Sequence, residues 1–193
     1  MDSTELPDVV RAAARGELPE WADARPERRA HIERVARLLG EWADALGLPP
    51  AERDEWVAAG WLHDSLRDAP ADRLRPLVPP ELGDLHPLLL HGPAAAERLR
   101  GQASDRLLDA VRFHTLGHPR LDRLGRALYL ADFLEPGRDF SPEWRAELRG
   151  RMPHDLDAVL REVVASRIRH LVDAGKPIRP ETAAFWSSLV GEA

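Results

Sequence analysis

Trp56-Val57-Ala58-Ala59-Gly60-Trp61-Leu62-His63-Asp64 is an apolar run that ends on two side chains able to bind a cation. With Pro50 ahead of it in a first turn and Pro70 beyond it, the run reads as a helix reaching His63-Asp64 and ending before that second proline. Neighbours on a helix point about 100° apart, so the pair can straddle a cleft and face adjacent metals. A carboxylate can bridge two cations where one imidazole cannot, which gives the dipeptide a chemical logic. Alone, a His-Asp pair is a common surface feature, and its weight comes from what surrounds it.

Outward from this run the helical period dominates. Over residues 28–46, Ile32, Val35, Ala36, Leu39, Trp42, Ala43 and Leu46 fall at three- and four-residue steps and paint one apolar stripe, stopped by Gly47 and Pro49-Pro50. Prolines 70, 76, 79, 80 and 87 predict an irregular lid or connector over residues 69–87. Gly92-Pro93 opens another helix, and Ser104 is placed to cap one that carries Leu107, Val111 and His114. Leu121, Leu124, Leu128, Ala131 and Leu134 mark a helix holding Asp132 and ended by Pro136-Gly137, and a last long helix is predicted over residues 155–173. No alternating strand is evident, so the expected class is an all-α helical bundle with a dinuclear metal site in its core.

Composition narrows the chemistry. The 193 residues suit one domain, residues 1–193, preceded within it by an N-terminal helical extension over residues 1–27. With 44% hydrophobic and 31% charged residues the chain is an ordinary globular one. No run reaches the roughly 18 apolar residues a membrane span needs, and Met1-Asp2-Ser3-Thr4-Glu5 lacks a signal-peptide pattern, so the expected location is cytoplasmic. The absence of cysteine leaves imidazole and carboxylate as metal ligands. A net charge of −6 argues against a nucleic-acid partner. A small anionic substrate stays open, because bound cations make a local field positive on an acidic protein.

His31, His63-Asp64, His91, His114 and Asp132 form a series whose gaps are each about one helix plus a connection. Each ligand can therefore come from a different helix and converge in a bundle core. Asp132, between Ala131 and Phe133 in an apolar helix, is costly to bury unless a cation compensates it. Taken singly, each histidine is better explained by packing and Asp132 by capping. Taken together, the six point to a metal centre.

On these residues the chain resembles the HD superfamily of phosphohydrolases, and within it the bacterial symmetrical bis(5'-nucleosyl)-tetraphosphatases. Over residues 28–182 the resemblance rests on Leu62-His63-Asp64 with Arg67-Asp68, His91-Gly92-Pro93, Arg112-Phe113-His114-Thr115 with Gly117, Tyr129-Leu130-Ala131-Asp132-Phe133-Leu134-Glu135-Pro136-Gly137-Arg138, and Gly175-Lys176-Pro177-Ile178. It implies two divalent transition-metal ions, iron first and manganese or another divalent ion next. It also implies that His31, His63, Asp64 and Asp132 hold one ion while Asp64, His91 and His114 hold the other. The implied reaction is hydrolysis of diadenosine tetraphosphate to two ADP, with another nucleotide substrate or a non-catalytic nucleotide-binding module as alternatives. A homodimer is left open.

Further candidates surround the ligands. Asp64 and Asp68 are the catalytic pair in this reading, Asp68 one helical turn after Asp64 as proton acceptor or ligand support. Arg67, Thr115, Gly117 and Arg138 are the substrate-binding candidates, and Arg138 is expected to meet only substrate phosphate. Ile32, Ser65, Leu66, Arg67 and Ala95 depart from the family pattern without removing a ligand. Arginine at position 67, where lysine is common, exchanges a point contact with phosphate for a fork.

Overall fold

Prolines in first turns set several helix starts, where the missing amide is no loss. Pro26 opens α2 (Pro26–Ala45), Pro50 opens α3 (Pro50–Leu62), Pro142 opens α8 (Pro142–Arg151) and Pro180 opens α10 (Pro180–Val190). The other elements of this computed structural model are α1 (Asp8–Ala14), α4 (Ala71–Leu74), α5 (His91–Leu99), α6 (Asp105–Phe113), α7 (Arg123–Leu134) and α9 (Leu156–Asp173). The structure describes residues 6–191, so residues 1–5 of the N-terminal extension lie outside the described residues. No strand occurs among the described residues, and none of their helices is long and apolar enough to cross a membrane. The all-α expectation holds.

Ser104 caps α6 as expected, its hydroxyl accepting from the Leu107 amide at 3.2 Å, and Asp122 caps α7 in the same way through the Gly125 amide at 3.0 Å. The proline-rich connector holds α4 and three short 3₁₀ turns. Two helices were not predicted. α8 buries only Arg145 and Leu148, too few apolar positions to show a stripe. In α10, Phe185 and Leu189 are the buried apolar side chains, one step of a periodicity that needs several.

α7 is the hub, packed against α2, α3, α6, α8 and α9, while α1 lies on α3 and α10 on α9. Its Ala127, Leu128, Leu130, Ala131 and Leu134 are fully buried, which gathers the surrounding helices around one apolar cylinder. α2 and α3 make the closest approach. A methyl group on Gly60 would sit 2.4 Å from the Ala36 Cα, so only glycine at this crossing lets the two backbones meet. This contact brings the end of α3 against the flank of α2 that carries His31.

Candidate metal centre

The six predicted ligands enter from five places on the bundle. His31 projects from the first half of α2, His91 is the first residue of α5, His114 follows the last residue of α6, and Asp132 lies in the last turn of α7. α3 ends at Leu62, one residue before the predicted His-Asp pair. His63 and Asp64 therefore sit in a tight turn, where the Ser65 amide donates to Leu62 O and the Arg67 amide to Asp64 O. The turn aims both side chains inward.

Asp64 divides the cluster. Its Oδ1 lies 3.1 Å from His91 Nε2 and 3.4 Å from His114 Nε2, and those two nitrogens are 3.1 Å apart. Its Oδ2 lies 3.7 Å from His31 Nε2 and 3.8 Å from His63 Nε2. Two groups of three buried donors thus share one carboxylate, His31-His63-Asp64 and Asp64-His91-His114. Ligands about 2.1 Å from a common ion lie roughly 3.0–3.4 Å apart at tetrahedral or octahedral angles, so the second group already has ligand spacing. Asp132 Oδ1, 3.2 Å from His31 Nε2, borders the first group.

The hydrogen bonds around the histidines fit a cation. His63 Nδ1 donates to Gly60 O and His114 Nδ1 to Val111 O, each at 2.7 Å, and His31 Nδ1 donates to Glu135 Oε1 at 3.2 Å. These acceptors fix the tautomer and leave each Nε2 with a lone pair facing the shared carboxylate. His63 Nε2 is buried without a hydrogen-bond partner among the described residues, a costly arrangement unless an ion takes it up, and His31 Nε2 has only carboxylate oxygens beside it.

The electrostatics prepare the same state at His63, His91 and the two carboxylates. Burial pulls His63 down to about 4, against the pull of Asp64, and burial also lowers His91. Burial would raise Asp64, but the charge of His63 and hydrogen bonds from His114 and His91 outweigh it and hold the carboxyl well below its ordinary range. Asp132 is lowered too, burial being outweighed by the His31 hydrogen bond and the nearby His63 and Arg138. Among the ligands His31 is raised, burial being outweighed by the Asp132 and Glu135 carboxylates, so a metal there displaces a proton. Ionised carboxylates beside neutral imidazoles are the ligand forms.

Of the remaining candidates, Arg138 and Asp68 are placed differently from the expectation. Arg138 donates to Asp132 Oδ1 at 2.5 Å and to the Asp132 carbonyl at 3.1 Å, so it touches a ligand carboxylate and not substrate alone. Asp68 lies beyond the helix end, in a turn and not one helical step from Asp64, and its carboxylate accepts from the Arg25 amide at 2.8 Å. Arg67 donates to Leu88 O at 3.3 Å, and Thr115 offers its carbonyl to Arg167 at 2.9 Å. Gly117 has φ +73° and would place a methyl group 2.1 Å from Phe185, which makes it the seat of α10.

Three charged residues at the site escaped the sequence reading. Arg28 donates to Asp64 Oδ2 at 2.9 Å. Glu135, 2% exposed, accepts from His31, from Arg34 Nε at 2.6 Å and from the Gly137 amide at 2.7 Å. Arg145, 1% exposed, donates to the carbonyls of Phe133, Glu135 and Arg138. Glu135 was visible only as part of a quoted motif, and the two arginines had no signal beyond their charge.

Known proteins resemble this chain in sequence and in fold. Over 171 residues the chain is 28% identical to a protein of Bacillus subtilis (strain 168) named symmetrical bis(5'-nucleosyl)-tetraphosphatase, covering 84% of this chain and 89% of that one. A protein of the same name from Halalkalibacterium halodurans is 29% identical over 157 residues, 77% of this chain and 83% of that one. A crystal structure from Clostridium acetobutylicum, described as a "predicted HD superfamily hydrolase involved in NAD metabolism", superposes with a TM-score of 0.75 at 25% identity over 87% of this chain and 91% of that one. Residues 28–137, the span from Arg28 on Asp64 to the Gly137 amide on Glu135, match the family described as HD domain, and the chain belongs to it.

Proposed function

We propose that this chain is a metal-dependent phosphohydrolase that cleaves dinucleoside polyphosphates symmetrically, taking diadenosine tetraphosphate and water to two ADP. The observation that carries the reading is Asp64, whose two oxygens face two separate pairs of imidazole nitrogens at 3.1–3.8 Å. His31, His63, Asp64 and Asp132 would hold one divalent cation, and Asp64, His91 and His114 the other. Iron is the expected metal, with manganese next, because the donors are imidazole and carboxylate with no thiolate. Two such ions, when bound, supply an acidified water and neutralise charge on phosphate oxygens.

The protein's own part is orientation and charge. Glu135 on His31 Nδ1, Gly60 O on His63 and Val111 O on His114 hold three imidazoles in the ligand tautomer before any substrate arrives. Arg28 and Arg138 each lie on a carboxylate oxygen of the ligand set, Asp64 Oδ2 and Asp132 Oδ1, and both side chains are partly exposed. Where a cation takes over those oxygens, the guanidiniums are left to meet phosphate, both beside the first metal group. Planar forks of this kind match a chain of four phosphates better than point charges do. Asp68 and Gly117 carry no part in this scheme.

The names of the relatives, symmetrical bis(5'-nucleosyl)-tetraphosphatases from two species, support this substrate. A cytoplasmic location goes with it. Metal-loaded protein incubated with a nucleotide panel and read by chromatography tests the reading. ADP as the single product of diadenosine tetraphosphate is expected, while ATP and AMP in equal amounts would overturn it. Turnover of another nucleotide alone would move the assignment to a different HD phosphohydrolase substrate.

A further inference from the structure

α7 ends with no left-handed glycine to fold its last amides back, so the carbonyls of its final turn need other donors. Arginines from the next segment supply them. Asp132 O accepts from Arg138, Leu134 O from Arg149 at 2.7 Å, and Phe133 O and Glu135 O from Arg145 at 2.7 and 2.6 Å. Arg145 also reaches across the turn to Arg138 O at 2.7 Å. One buried guanidinium thus joins both limbs of the 133–138 turn, and every hydrogen bond it makes ends on a main-chain carbonyl. The Phe140 ring closes over it, 4.7 Å from the guanidinium carbon.

That turn is the part of the fold that supports the first metal group from behind. Glu135 leaves it to orient His31 and Arg138 leaves it to hold Asp132. A buried cation with no carboxylate among its hydrogen-bond partners is a poor choice for stability alone, because a neutral donor would satisfy such carbonyls without burying an uncompensated charge. The geometry points to Arg145 as a positioning residue for the metal centre, fixing the 133–138 turn so that Glu135 and Arg138 present their charges to His31 and Asp132 at the right place. It touches neither ligand nor substrate side chains. The inference rests on the two-ion reading above and adds to it the residue that sets one half of its geometry.

Lysine keeps the charge at this position and loses the fork, so it cannot span three carbonyls. For Arg145→Lys we expect a folded protein whose metal affinity, measured by competition with a chromogenic chelator, falls about tenfold. A kcat about tenfold lower should accompany it, with a rise in KM, because Arg138 leaves the same turn to meet phosphate. Leu148→Ala provides the matched control: Leu148 lies on the same helix, is fully buried and makes no hydrogen bond to the turn through its side chain. It should lower the melting temperature at least as much while leaving metal affinity and kcat within about twofold. Wild-type metal affinity and kcat in Arg145→Lys would overturn the inference, as would parallel losses in the control. A wild-type chain that binds no metal would overturn the functional reading and this inference together, which separates the two failures.

Discussion

Glu135→Gln exchanges one oxygen of a buried carboxylate for an amide nitrogen, and the groups hydrogen-bonded to that carboxylate are donors. Oε1 accepts from His31 Nδ1 at 3.2 Å, and Oε2 accepts from Arg34 Nε at 2.6 Å and the Gly137 amide at 2.7 Å. If the new amide turns its nitrogen to His31, the ligand imidazole loses the acceptor that fixes its tautomer. If it turns the nitrogen the other way, two donors are orphaned. Either choice removes a charge-assisted contact of about 1.5–3 kcal/mol. A loss of that size equals roughly 10- to 100-fold in metal affinity, the range expected for the group behind a ligating histidine. Chelator competition on the purified variant reads it directly. Acid titration of the metal-free protein gives a second readout. Burial raises the Glu135 pKa, but hydrogen bonds from His31, Arg34 and the Gly137 amide outweigh it and bring the carboxyl from 4.5 to about 2. The folded pKa lies below the unfolded one, so this contribution is complete above about pH 4.5 and is lost as pH falls toward 2. The glutamine variant lacks that titration and should show a flatter stability curve in the same window. Metal affinity within twofold of wild type, together with a parallel acid limb, would refute the reasoning.

Asp64→Ala should lose both ions by elemental analysis, where wild type carries close to two per chain, and its hydrolysis should fall to background. Arg138→Ala should keep both ions, since a bound cation takes over the compensation of Asp132, while kcat/KM drops roughly tenfold or more with the lost phosphate contact; wild-type kinetics would return that arginine to a structural role. Gly117→Ala places a methyl group against Phe185 at positive φ. It should lower the melting temperature by about 5–10 °C without changing KM, and a raised KM at unchanged melting temperature would make Gly117 a substrate contact after all. Chelation should lower the melting temperature of the holoprotein by roughly 5–10 °C for an ion present at about 100 times its Kd, and identical melts with and without chelator would contradict a metal bound to the native state.

The residues that converge were legible because spacing and burial cost act on them separately. His31 lies on the flank of the α2 stripe with Val35, Leu38 and Trp42, and Asp132 stands in an apolar helix where a carboxylate needs compensation. What periodicity could not give was anything beyond a helix end. Asp68 and Asp64 looked like neighbours on one face only while α3 was extended past Leu62; the turn that follows sends Asp68 to the Arg25 amide. Glu135 stands just after α7, where the helical period carries no information. Arg28, Arg34 and Arg145 were hidden among 27 basic residues, because a guanidinium that crosses to another element leaves no trace in local sequence. α8 was missed for the same reason, since its work is done by arginines reaching α7 and not by an apolar stripe.

The contact of Gly60 with Ala36 acts as a gauge block between two jaws. His31 rides on one jaw and His63 leaves the other, so their ring separation of 5.5 Å is inherited from how near the backbones lie. The carbonyl of the same glycine holds the His63 ring. Ligand identity and ligand gap are therefore encoded at different positions. A lineage that drifts at position 36 or 60 would change which cation radius fits while every histidine and aspartate stays in place, and a comparison of metal ligands among its members would record no change at all.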